Sequence, residues 1–97
     1  MTRFLLSRLL LPGAFALLGA AAQAACFADY KAKQDDPLRL HYGVAEISGA
    51  CTPANARVQL APRVAEGGWT LLNIVSVFDD TGLAERQESA GRYFLRF

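Results

Sequence analysis

The chain has 97 residues, of which 53% are apolar, too many for a disordered tail and enough for a single small core. Ten Lys+Arg stand against nine Asp+Glu, a formal net charge of +1, so nothing in the balance favours a nucleic-acid partner. One histidine and two cysteines, with no C-x-x-C, supply neither a metal-ligand cluster nor a thiol-redox motif.

Residues 1–24 read as a cleaved secretory signal peptide. Arg3 and Arg8 form a basic start, Leu9–Ala22 is nearly all apolar, and Ala22-Gln23-Ala24 offers small side chains to a peptidase. The apolar run is shorter than the roughly 20 residues a spanning helix needs. Cleavage leaves residues 25–97 as one small α+β domain with no transmembrane span. It also removes both arginines, turning the net charge from +1 to −1. The expected location is periplasmic or secreted.

In such a compartment Cys26 and Cys51 pair as a disulfide. Closing a loop of about 25 residues stabilises by roughly 3–4 kcal/mol in the chain-entropy picture. The alternative is a lipid-anchored envelope component through Cys26. A lipobox wants an aliphatic residue three places before the cysteine, and Gln23 stands there.

Phe27–Asp36 alternates small apolar and charged residues and fits a short strand or a helical turn. Asp36-Pro37 ends it, because the residue before proline avoids the helical region. Pro37–Ile47 reads as a strand with Leu38, Leu40, Tyr42 and Val44 on the core face and Arg39, His41 and Ala45 opposite. Thr52-Pro53 opens a helix, with Thr as N-cap and Pro at the first position. Its expected buried stripe is Ala54, Val58, Ala61 and Ala65, widened by Leu60 and Val64. Pro62 should kink or shorten it, and Gly67-Gly68 ends it.

Trp69–Phe78 is apolar on both faces and is expected as the central strand, with Trp69, Leu72 and Ile74 in the core. Leu83–Ser89 fits a short helix ended by Gly91. Arg92–Phe97 reads as a final edge strand, with Tyr93, Leu95 and Phe97 on one face and Phe94 exposed on the other. The expected fold is therefore α+β: a small three-stranded, mostly antiparallel sheet with one helix packed on one face, in β-α-β-β order.

The run from the strand at Leu38–Ile47 through Glu66-Gly67-Gly68-Trp69 into Trp-Thr-Leu-Leu-Asn-Ile-Val-Ser-Val, then Tyr93-Phe94-Leu95-Arg96-Phe97, resembles a group of small uncharacterised exported proteins of Gram-negative bacteria. It is similar to domain-of-unknown-function families built as strand–helix–Gly-Trp–strand–strand. The resemblance covers about 60 residues, implies the fold, and brings no established activity.

No catalytic constellation is recognised. Asp80-Thr81-Gly82 after an apolar run has the form of an aspartic-protease signature. The glycine-rich flap and second apolar strand of that chemistry are missing, so Asp and Gly here make a turn. His41 has no nucleophile or orienting carboxylate near it in sequence and reads as a surface residue. The sequence points to a non-catalytic binding or interaction module, without cofactor or metal, whose partner is a protein of the cell envelope. An incompletely covered sheet face carrying His41 and Phe94 is the candidate surface. An enzyme or enzyme inhibitor using the polar 79–89 loop is the alternative from another class.

Overall fold

The computed structural model describes residues 25–97; the signal expected over residues 1–24 lies outside them. Three strands, β1 (Cys26–Gln34), β2 (Arg39–Ile47) and β3 (Thr70–Phe78), form one antiparallel sheet in the order β2-β1-β3. Helix α1 (Pro53–Glu66) links β2 to β3, and a short helix α2 (Ala84–Ala90) follows a 3₁₀ turn at Asp80–Gly82. The fold is α+β, with helices packed on a three-stranded antiparallel sheet.

The strands are not the expected segments throughout. The ambiguous run after Cys26 is the central strand, and β3 is an edge strand paired only with β1. The strand expected at Arg92–Phe97 is absent. Gly91–Tyr93 makes a 3₁₀ turn, after which the chain touches the β2 edge through an isolated parallel bridge between Val44 and Phe94. A positive φ of 59° at Leu95 stops the extended run there.

Helix α1 begins as its cap residues dictate. Thr52 is extended and its Oγ1 accepts a hydrogen bond from Asn55 N at 3.1 Å, with Pro53 at the first helical position. The helix runs through Pro62 without interruption, and the buried stripe is Ala56, Leu60 and Val64 rather than Ala54, Val58 and Ala65. The reason lies in the proline. Its ring frees the carbonyl four residues earlier, at Val58. Both residues are exposed, so water can take the freed bond. Trp69 N donates to Val64 O, closing the helix end where Gly68 adopts φ 89°.

The face of the sheet beneath α1 carries the main core. Cys26, Ala28, Tyr30 and Ala32 of β1 meet Ala45 and Ile47 of β2 and Ala56, Leu60 and Val64 of α1. Small side chains at 28, 32, 45 and 56 let the helix approach the sheet closely. Trp69 and Ile74 are partly buried against this cluster. Burying Leu60 completely stabilises by roughly 2–3 kcal/mol.

The period of two expected in β2 holds, but its faces are exchanged. His41, Gly43, Ala45 and Ile47 point into the main core, and Leu40 is exposed. Leu38 and Leu40, expected in the core, are 65% and 66% exposed, and Leu72 is 42% exposed. Tyr42 is half-buried on the second face. Tyr30 decides the matter. Its fully buried ring needs the space above Gly43, its register partner, and only the arrangement with Gly43 inward supplies it.

Candidate interaction face

The second face of the sheet is built in two halves. In the covered half, Phe27, Val44 and Ala90 form a small cluster with Tyr42, Phe78, Leu83 and Phe94 around it. Helix α2 lies over this half, pinned by an ion pair to the central strand. Asp29 is only 4% exposed, and its Oδ2 accepts from Arg86 Nε at 3.0 Å and from the Tyr42 hydroxyl at 2.7 Å. Its Oδ1 accepts from the Ser76 hydroxyl at 2.7 Å. Burial pushes the Asp29 carboxyl up. The three hydrogen bonds and the Arg86 charge outweigh it and hold the carboxyl below its ordinary value. Burial, with the carboxylate it donates to, pushes the Tyr42 phenol up to about 12. Arg86 also lies 3.8 Å over the Phe78 ring.

The other half of this face is open. Along the register, Lys33 stands beside Leu40 and Thr70, and Lys31 beside Tyr42 and Asn73. Leu72 sits where the β1–β3 register slips by one residue. A shallow recess of about 280 Å³ lies here, lined by Lys31, Ala32, Leu40, His41, Tyr42 and Leu72. Its walls are mostly apolar, and the only charged side chain among them is Lys31.

The two residues expected to form the surface are placed elsewhere. His41 is 8% exposed, with its ring stacked on Tyr93 at 3.7 Å between centroids and edge-on to Trp69 at 4.3 Å. It shares a 3.0 Å hydrogen bond with the Tyr30 hydroxyl, and its Nδ1 has no partner among the described residues. Burial lowers its pKa to about 4. Phe94 is half-buried against the smaller cluster. The exposed residues of the second face are instead Leu40 and Leu72, with Leu38 in the turn beside them. No pattern within β2 marks Leu40 as exposed; the lysines beside it on this face, Lys31 and Lys33, come from β1.

A larger notch of about 410 Å³ lies between β2 and α1, lined by residues including Ser48, Gln59 and Arg63. Its polar groups already serve the fold. Arg63 donates to the carbonyls of Glu46, Gln59 and Phe97, and Gln59 both donates to and accepts from Ser48.

Cys26 and Cys51 form a disulfide with Cα atoms 5.8 Å apart. Among the described residues no three His, Cys, Asp or Glu side chains gather as a metal site, and no helix is long and apolar enough to cross a membrane. Ser76 donates a hydrogen bond to a buried carboxylate beneath α2, and His41 faces aromatic rings and the Tyr30 hydroxyl rather than a carboxylate. Comparison with protein-family models, with curated proteins and with solved structures finds no match to this chain, so the resemblance to exported proteins rests on the residues quoted for it.

Proposed function

We propose that this protein is an exported, periplasmic interaction module without catalytic activity, which docks a protein of the cell envelope on the open half of its second sheet face. One observation carries the reading: Leu40 and Leu72 stand 66% and 42% exposed in the walls of one recess, with Leu38, 65% exposed, in the turn before β2, in a chain whose Leu60 is fully buried. Apolar surface gathered in one place on a small domain is kept for a partner. The location follows from the N-terminal sequence and agrees with the disulfide.

The two rival readings draw less support. A disulfide-bonded Cys26 has no thiol to acylate. Two of the charged side chains in the 79–89 segment serve local structure. Asp79 caps the 3₁₀ turn through Thr81, and Arg86 pins α2 to Asp29.

The test is position-specific photocrosslinking in cells. A photoreactive residue at Leu40 or Leu72 is expected to join the chain to a defined protein. One at Val58, which is 70% exposed on the outer side of α1, is expected to give none. Leu40→Ser and Leu72→Ser are expected to shift stability by less than about 0.5 kcal/mol while abolishing that product. Crosslinks from the 79–89 segment with none from position 40 overturn the assignment.

A further inference from the structure

We infer that the occupant of the open half-face is an extended protein segment presenting one apolar and one acidic side chain two residues apart, and that Lys31 selects the acid. The inference rests on the docking reading above and adds the partner's chemistry.

The charge layout of the face carries it. The two open rows contain Lys33, Leu40 and Thr70, then Lys31, Tyr42 and Asn73, with no acid in either. Lys33 is occupied by Asp35 of the neighbouring turn at 3.1 Å. Lys31 is exposed and makes no ion pair among the described residues. The nearest acid along β1 is Asp29, whose oxygens are taken by Ser76, Tyr42 and Arg86. The recess therefore presents an ammonium beside the leucine walls of Leu40 and Leu72, and no acid among the described residues pairs with it.

A complementary ligand needs an apolar group for the walls and an anion for Lys31. In an extended segment, residues i and i+2 share a face and lie about 6.8 Å apart. That is the scale of the separation between neighbouring side chains on this sheet, so such a segment can meet both features at once. The other half of this face disfavours an anionic membrane. Asp79, Asp80, Glu85 and Glu88 are exposed around α2, over the other half of the same face.

The experiment is a titration of the purified chain with three labelled twelve-residue peptides, repeats of Leu-Ser-Glu-Ser, Leu-Ser-Gln-Ser and Leu-Ser-Lys-Ser, read by anisotropy, and with phosphatidylglycerol vesicles. The Glu peptide is expected to bind most tightly and to weaken with added salt. Lys31→Glu should weaken it about five- to tenfold, since one exposed attraction becomes a repulsion, and should transfer preference to the Lys peptide. Equal binding of the Glu and Lys peptides, no effect of Lys31→Glu, no peptide binding, or binding to vesicles alone each overturns the inference. Glu and Gln peptides that bind equally, and are both lost in Leu40→Ser, remove the acid selection while leaving the docking face in place. Absence of crosslinks from position 40 in cells removes the docking face itself.

Discussion

The ring of Tyr30 occupies the space that a side chain on Gly43 would need: a β-carbon built at Gly43 falls 2.5 Å from both Cζ and Oη of Tyr30. The pair explains which face of β2 is buried. Gly43→Ala should destabilise the domain by about 2–3 kcal/mol, because the fully buried ring has little room to move. In a Tyr30→Leu background the same substitution should cost much less. Urea unfolding of the four variants measures the coupling. Additive effects would show that the ring and the glycine do not compete for space.

His41 makes stability depend on pH. Burial depresses its folded pKa to about 4, against an ordinary value near 6.5. A protonated ring would be boxed by Tyr93, Trp69 and Tyr30 with one N–H unpaired. The unfolded chain therefore binds a proton that the folded chain refuses between those two values. Stability is full above pH 6.5 and falls as the pH drops toward 4. From pH 7 to pH 5 the loss should be about 2 kcal/mol. The slope above pH 5 should vanish in His41→Phe, as denaturant midpoints across the range will show. Below pH 5 Asp29 adds its own loss, since its folded pKa is depressed and its stabilisation fades as it takes up a proton.

How much of this was legible in the sequence depended on how far away the deciding partner lay. Thr52-Pro53 and Gly67-Gly68 set both ends of α1, because capping is settled within a turn. The identity of the central strand was hidden. Asp29, Lys31 and Lys33 make β1 look like a surface segment, yet Asp29 is buried by Ser76 and Arg86, contributed from 47 and 57 residues further along. The faces of β2 are hidden for the same reason. Leucines at 38 and 40 outweigh a histidine, a glycine and an alanine by hydrophobicity. The aromatic rings that bury His41 come from Tyr30, Trp69, Tyr93 and Phe97, and no periodicity within β2 announces them. His41 and Phe94, expected at the candidate surface, are buried and half-buried because the residues that cover them lie on other elements.

The Asp29–Arg86 pair holds α2 on the sheet. Asp29→Ala leaves the Arg86 guanidinium and two hydroxyls without their acceptor and should cost about 3–5 kcal/mol. Arg86→Ala should act more locally. Ser76 and Tyr42 still satisfy the carboxylate, while α2 loses its anchor and its stacking on Phe78. Hydrogen exchange should then quicken at the amides of α2 and remain slow in β1. Uniform acceleration across the sheet would show that the pair supports the whole fold rather than the helix.

The disulfide joins the first residue of the central strand to the residue before the Thr52 cap. The bridge thus reaches the N-terminal segment. The structure gives that segment a ladder on both sides, so β1 is held without it. The contribution of the bridge is then mostly to the unfolded chain, where a link across a separation of 25 residues removes freedom worth roughly 3–4 kcal/mol. Replacing both cysteines by alanine should lower Tm by about 12–30 °C. The sheet and its slow-exchanging β1 amides should persist at 25 °C. Thiol titration of the denatured, unreduced protein should find no free thiol, and two per chain would defeat the pairing. If the alanine variant instead loses its far-ultraviolet strand signal at 25 °C, the main core cannot hold the sheet alone, and the bridge is needed for folding rather than added to it.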